Sequence, residues 1–265
     1  MPTESALEPI PRPRVTAWLL KAVATLVGVA VLVLSWQGTE FRPLLLAESL
    51  PRIAEFLGRM VPPDWSVWKV VARASLETLE IALLGTLIGL VISFPLGFLA
   101  ASNLTPWWAH HPTKVMLGLI RSVPLILLAL LFVVAVGLGP FPGVLAIAFH
   151  SVGMLGKFCA EAFENTEPRI VEAVEGTGAS RTQILRFGVL PQVLPQIVSF
   201  ALYRLELNIR DATILGLVGA GGIGYYITLY IRGFQYEKVA ALCLVIFAMV
   251  LAVDLVAFLV RKRVG

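Results

Sequence analysis

Charge is the property that this sequence has least of. Only 14% of its 265 residues are Asp, Glu, Lys or Arg, whereas 58% are hydrophobic and the mean hydropathy is +0.85. A soluble globular domain carries about 25% charged and about 45–50% apolar residues. The shortage of charge therefore argues against an ordinary soluble protein and predicts a chain with several membrane spans.

Metal-binding residues are also scarce. The two cysteines, Cys159 and Cys243, lie in apolar segments and form no Cys-x-x-Cys pair. The three histidines have no spacing typical of a ligand set. We interpret the cysteines as small buried hydrophobic residues and expect no metal site.

Signatures of catalysis and of nucleic-acid binding are missing as well. No Gly-x-x-x-x-Gly-Lys-Ser/Thr phosphate loop is present, so ATP hydrolysis by that route is not expected. No Ser-His-Asp spacing or soluble carboxylate pair indicates an enzyme, and we expect no catalytic residue. The net charge of +4 is spread over loops and helix ends, which argues against nucleic acid as a partner.

Long apolar stretches are what the sequence does contain. A helix needs about 20 apolar residues to cross a bilayer, and clusters of Gly and Pro mark the turns between helices. We therefore predict an all-α polytopic membrane protein with six transmembrane helices. They are expected at about residues 15–36, 75–101, 113–136, 143–163, 189–216 and 239–260.

Three segments do not have the composition of a span. Residues 1–14 are polar and rich in proline, and we expect them to be a disordered cytoplasmic terminus. Residues 40–74 alternate charged with apolar side chains, which predicts amphipathic helices along the extracytoplasmic membrane surface. Residues 164–188 are polar and are expected to form two short helices.

The distribution of basic residues predicts the orientation. Six spans place both termini on one side, and the basic residues at 12, 14 and 261–263 assign that side to the cytoplasm. The loop 164–188 falls on the same side, although residues 40–74 carry five Lys and Arg and would face outward. The sequence predicts a multi-pass plasma-membrane protein with both termini in the cytoplasm.

The loop 164–188 is the most informative polar segment. Thr166 is expected to cap its first helix, Gly178 suits a turn, and Ser180 and Gln183 have the spacing of a capping box. Short helices that bear small and apolar residues are suited to a groove on another protein. A solvated connection between two spans explains the same residues.

The spacing of a Glu-Ala-Val triplet, a glycine and a Leu-Pro pair within 172–191 resembles the EAA motif of ABC importer permeases. Members of that family dock this loop into a cleft of a cytoplasmic ATPase subunit. The sequence departs from the motif at Val174, which replaces an Ala, and at Gly188, which replaces an Ile. The resemblance implies a type I importer permease core over 75–260. It also implies five coupling residues: Glu172, Ala173, Gly178, Leu190 and Pro191.

Three further segments, 136–141, 150–157 and 208–224, resemble phosphonate permeases. Leu125 departs from that branch, which often has an acidic residue there. The resemblance implies a transmembrane subunit that imports phosphonate or a related phosphorus oxyanion by alternating access. Within 208–224, three of four clustered glycines have the Gly-x-Gly-x-x-Gly spacing of a dinucleotide-binding loop but lack its βαβ context, so we interpret the four as an outer elbow. They are Gly219, Gly221, Gly222 and Gly224.

Polar residues at membrane depth are the candidates for a translocation path. Their burial there is energetically unfavourable, so the ones that occur usually have a function. Structural ion pairs between helices explain the same residues, and we expect Lys157 to pair with Glu161 one helical turn away. Asp254, alone on the last span, is interpreted as structural. The path candidates are Arg121, Lys157, Asn208, Arg210 and Asp211.

The family resemblance also implies partners. They are two cytoplasmic ATPase subunits, an extracytoplasmic substrate-binding protein and a second copy of the chain, all at a lipid membrane. No cofactor is expected on this chain, since the partner ATPase would bind ATP and Mg. The alternative is a secondary transporter, or a permease for another small solute, without an ATPase. Such proteins usually contain repeated halves, which this sequence lacks.

Overall fold

The computed structural model describes residues 15–39 and 41–264, so the expected disorder of residues 1–14 lies outside the described residues. Within that part all regular secondary structure is helical, as predicted. The chain divides into two compact units, with the boundary along the sequence between Leu57 and Gly58.

The N-terminal unit contains two helices, α1 (Val15–Gly38) and α2 (Pro43–Gly58). Helix α1 is long and apolar enough to cross a membrane from Trp18 to Gly38. Helix α2 is amphipathic and leaves its leucines exposed, in keeping with the expected surface helix. Its place on the membrane surface stays a prediction.

The second unit carries the remaining helices. Among the described residues, five helices of the whole chain could each cross a membrane, or six if one bent pair counts as a single span. The helices of this unit are α3 (Trp68–Ala100), α4 (Trp107–Ser122), α5 (Leu125–Val136), α6 (Pro140–Glu164), α7 (Pro168–Glu175), α8 (Arg181–Gln183), α9 (Leu190–Gly216), α10 (Gly222–Arg232) and α11 (Tyr236–Val264).

The span predicted at 113–136 is the bent pair and not one straight helix. Helices α4 and α5 meet at 82°. Val123 is extended, with ψ at 122°, because the ring of Pro124 disfavours a helical conformation in the residue before it. Pro124 also lacks the N–H that would continue the α4 hydrogen bonds. The prediction of an uninterrupted third span was therefore wrong.

Helix α6 forms the centre of this unit and packs against α3, α4, α5 and α9. Glycines on α3 let the two backbones approach closely. A Cβ atom on Gly85 would lie 2.6 Å from Ile147, and one on Gly89 would lie 2.7 Å from Ser151. Small residues commonly permit such close packing between membrane helices. This packing brings Ser151 next to polar side chains of α3 and α9.

The glycine elbow joins α9 to α10. Gly219, Gly221 and Gly222 have φ angles of 91°, 81° and 71°, a region that favours glycine because it has no Cβ. Two α3 side chains then bond the first N–H groups of α10. Glu77 Oε1 accepts from Gly222 at 2.8 Å, and Thr78 Oγ1 accepts from Ile223 at 2.9 Å. The elbow is therefore fixed to α3.

Candidate functional site: the loop 164–188 and a buried polar cluster

The loop 164–188 forms one short helix, α7, and the beginning of a long one. Helix α8 continues through a π-helical segment, Ile184–Val189, directly into α9. The prediction of two separate short helices was wrong for the second. Pro191 lies in the first turn of α9, and the wider π-helical turn before it accommodates its missing N–H group.

The start of α7 is anchored to α9. The residue that precedes the helix is Glu167, and its backbone N–H donates to Gln192 Oε1 at 2.9 Å. Gln192 Nε2 in turn donates to the carbonyl of Gly188 at 2.6 Å. Thr166 does not cap α7, as had been expected, because its hydroxyl donates back to the carbonyl of Phe163.

The turn between α7 and α8 follows the sequence prediction. Gly178 has a φ of 78°, and a Cβ atom there would meet no other atom within 4 Å. The need for glycine is therefore conformational and not steric. The predicted capping box is confirmed: the backbone N–H of Ser180 donates to Gln183 Oε1 at 2.8 Å, and the Ser180 side chain accepts from the backbone of Gln183.

The loop presents a concave surface that includes two of the predicted coupling residues. Ala173 and Gly178 line it, together with the exposed apolar side chains Ile170 and Phe187. Phe187 is 60% exposed although it lies in a polar loop. Sequence reasoning missed both apolar residues. Their position among charged neighbours was a signal that could have indicated an exposed contact surface.

The other predicted coupling residues lie around this surface or behind it. Glu172 is exposed on α7. Leu190 packs against the buried cluster that contains Phe163 and Val193, and Pro191 is exposed at the start of α9. Leu190 therefore holds the loop against the helices, whereas Glu172 remains available to a partner.

A buried polar cluster lies between α3, α6 and α9, and its centre is Arg204. This side chain is only 3% exposed. Its Nε donates to Ser151 Oγ at 3.1 Å, and its Nη2 bonds His150 Nδ1 at 2.8 Å. The carboxylate of Asp211 lies 3.7 Å away. A buried charge requires such partners, because moving a charged group out of water without a hydrogen-bond or ion-pair partner is strongly unfavourable.

Asn208 extends the cluster to α3. Its amide Nδ2 donates to Thr86 Oγ1 at 2.8 Å and to Ser151 Oγ at 3.0 Å. Its Oδ1 is buried and has no hydrogen-bond partner within the described part of the chain. Three helices are thus joined by hydrogen bonds at one point.

The sequence prediction included Asn208 and Asp211 but missed Arg204. A signal was present in the spacing, because residues four and seven apart share one face of a helix. Arg204, Asn208 and Asp211 have that spacing on α9. The structure brings these three together.

Arg121 lies in the last turn of α4, and Lys157 lies on the side of α6 that faces α4. The Lys157 ammonium lies near Gly118, where an added Cβ atom would be 3.5 Å from Nζ. The backbone of Arg121 packs on Gly153 of α6. In residues 15–39 and 41–264 neither cation is found in an ion pair, and the expected pair of Lys157 with Glu161 is not formed.

Arg210 lies on the opposite face of α9 from Asn208. It forms an ion pair with Asp254 of α11 at 3.0 Å. One turn earlier, Glu206 pairs with Arg261 at 2.6 Å. These two ion pairs join α9 to α11, which agrees with the structural interpretation of Asp254.

Comparison with known proteins identifies the class. The family model for the binding-protein-dependent transport system inner membrane component matches residues 93–265. The chain belongs to this family and is a multi-pass component of the inner membrane.

Within that family, its similarity is to permeases of phosphorus oxyanion systems. It is 43% identical to the phosphite transport system permease protein PtxC of Stutzerimonas stutzeri, over 92% of this chain and 89% of that protein. It is 38% identical to the phosphate-import permease protein PhnE of Mycolicibacterium smegmatis, over 88% of this chain and 44% of that one.

Solved structures agree on the fold. An inward-facing structure of the MetNI methionine ABC transporter matches 76% of this chain and 99% of the compared chain, with a TM-score of 0.67 and 20% identity. The fold is therefore that of an ABC importer permease.

Proposed function

We propose that this chain is the transmembrane subunit of an ATP-driven importer that moves a phosphorus oxyanion into the cytoplasm by alternating access. Phosphite, phosphonate and phosphate are the substrates of this class. The similarity to the phosphite permease over 92% of the chain supports this class of substrate. The observation that carries the ATP-driven mechanism is α7, a short helix that is exposed and yet anchored to α9.

Helix α7 acts as the coupling element in this proposal. Glu172, Ala173 and Gly178 contact a cleft of the ATPase subunit, and Ile170 and Phe187 add apolar contacts. The hydrogen bonds from Glu167 to Gln192 and from Gln192 to Gly188 pass a displacement of α7 to α9. Because α9 also carries Arg204 and Asn208, movement of the loop reaches the membrane interior.

The chain itself is not an enzyme in this account and binds no cofactor. The partner ATPase binds ATP and Mg, and an extracytoplasmic binding protein delivers the substrate. Two copies of the chain form the path along a two-fold axis, as is usual for homodimers. Both termini and the loop 164–188 lie in the cytoplasm, which the basic residues of the loop and of the C-terminus support.

The translocation path includes Arg121, Lys157, Asn208 and Asp211 in this proposal. Polar groups at membrane depth commonly mark such paths. Arg210 stays a prediction for the path, and its ion pair with Asp254 also suits a structural contact between α9 and α11.

Co-purification with the ATPase encoded beside this chain tests the proposal. Gly178→Trp places a large side chain in the coupling turn. Gly137→Trp is the matched control, because Gly137 also has a positive φ and open space but lies at the opposite end of α6. We expect the native chain and the control to retain the ATPase and the Gly178 variant to lose it. A native chain that never retains the ATPase would instead favour a secondary transporter.

A further inference from the structure

The hydrogen bond between Arg204 and His150 defines the protonation of the imidazole. A guanidinium group has only donors, so Nδ1 of His150 must accept the 2.8 Å hydrogen bond from Arg204 Nη2. An accepting Nδ1 carries no proton, and a neutral imidazole then carries its proton on Nε2. His150 is therefore a neutral side chain with a fixed Nε2–H donor.

This donor is available to a ligand. His150 is half-buried on α6, and the described structure gives its Nε2 no hydrogen-bond partner. The end of α4 packs on the same part of α6, because the backbone of Arg121 lies against Gly153, three residues after His150. The side chain of Arg121 is exposed. A fixed N–H donor thus lies beside a cation at membrane depth.

The charges around this position favour an anion. Arg204 bonds His150, and Arg121 lies where α4 packs on Gly153 of α6. The carboxylate of Asp211 pairs with Arg204 at 3.7 Å. Lys157 lies two turns further along α6 on the same face. Positive groups therefore outnumber the one contacting carboxylate, and an oxyanion in contact with the donor would balance them.

We propose that the His150 Nε2–H binds an oxygen of the transported oxyanion, with Arg204 as the positioning residue and Arg121 as the neighbouring cation. The ligand is a tetrahedral oxyanion such as phosphite or phosphate. This inference rests on the proposed import function and assigns a binding contact within it. The His150 N–H orients the bound oxyanion, because the donor bonds only to an acceptor oxygen.

Two substitutions of His150 separate ligand binding from a structural role. The amide nitrogen of Gln reaches the position of Nε2, so His150→Gln keeps a donor toward the ligand. The shorter amide of Asn reaches the position of Nδ1, so His150→Asn keeps the acceptor for Arg204 and loses the donor. A purely structural histidine would be replaced better by Asn, and a ligand donor better by Gln.

The assay uses the complete importer, with its ATPase and binding protein, in proteoliposomes. Uptake of phosphite and of phosphate is measured by ion chromatography of the vesicle contents. We expect His150→Gln to stay within about threefold of native uptake and His150→Asn to fall about tenfold or more, as for loss of a hydrogen bond to a charged group.

The inference is decided by which of the two variants takes up more of the anion. Native-like uptake by His150→Asn, or equal effects of both substitutions, would overturn it. A native complex that imports none of phosphite, phosphate and a phosphonate would contradict the proposed function itself, so the two failures are distinguishable.

An exposed residue provides a test that does not depend on a half-buried substitution. Arg121→Gln removes the neighbouring cation from the last turn of α4, and we expect about a tenfold loss of uptake. Arg232→Gln is the matched control, because Arg232 is an exposed cation in the last turn of α10. Equal uptake by the two variants would contradict a cation at this site.

Discussion

The backbone N–H of Glu167 donates a 2.9 Å hydrogen bond to the side chain of Gln192, which joins the start of α7 to the first turns of α9. The same side chain donates to the carbonyl of Gly188 in the π-helical segment. One glutamine therefore connects the short exposed helix, the widened turn and the long membrane helix. This connection gives the loop a physical route to the membrane interior.

Replacing Gln192 tests that connection. Gln192→Ala removes both hydrogen bonds, and we expect the number of anions imported per ATP hydrolysed to fall several-fold while the ATPase stays bound. Gln196→Ala is the control, because Gln196 is exposed one turn further along α9. The ratio is measured from uptake and phosphate release in the same proteoliposomes. An unchanged ratio in Gln192→Ala would show that motion reaches α9 by another route.

Reversing the charge of Glu172 tests the coupling surface. Glu172 is exposed on α7, so Glu172→Arg should leave the fold intact. We expect at least a tenfold loss of transport, with the protein still monodisperse in detergent, because the charge at the contact with the ATPase is inverted. Transport at the native rate in this variant would count strongly against the coupling role of Glu172.

The ion pair between Arg210 and Asp254 predicts a stability effect. Arg210 Nη2 on α9 lies 3.0 Å from Asp254 Oδ2 on α11. Interhelical polar contacts in membranes contribute about 0.6–1.7 kcal/mol, so Arg210→Ala should lower the unfolding free energy by about 1 kcal/mol. The exchange Arg210→Asp with Asp254→Arg should restore most of it, as measured by thermal unfolding in detergent. If the exchange restored stability but not uptake, Arg210 would also belong to the path.

The close approach of α3 and α6 predicts a steric effect on the polar cluster. A Cβ atom on Gly89 would lie 2.7 Å from Ser151, whose hydroxyl bonds both Arg204 and Asn208. Gly89→Ala should therefore displace Ser151 and lower both thermal stability and uptake. Gly118→Ala is the control, since its added Cβ would make only a 3.5 Å contact. Equal stability of the two variants would show that the α3 backbone adjusts without moving Ser151.

Most of the fold was predictable from the sequence, because membrane spans follow from apolar length and from Gly and Pro between them. The bend at Pro124 was missed, although a proline inside a predicted helix is a physical reason for one. The continuation of α8 into α9 was not predictable in the same way. It depends on a π-helical segment that is fixed by tertiary contacts, such as that of Gln192 with Gly188.

The candidate site was predictable in part. The position of Gly178 in a turn follows from the sequence, since few other residues adopt its φ. Arg204 was missed because its depth depends on how α6 and α9 pack, although its spacing from Asn208 was visible. The partner of Arg210 could not be deduced, because the contact joins positions 44 residues apart.

The energy source for uptake tests the central claim most directly. Proteoliposomes that contain this chain with its ATPase are given the binding protein and phosphite, with ATP or ADP at the ATPase side and with ion gradients either imposed or collapsed. We predict uptake that requires both ATP and the binding protein and does not change when the gradients are collapsed. Uptake that proceeds with ADP and follows an imposed ion gradient would contradict the importer and identify a secondary transporter.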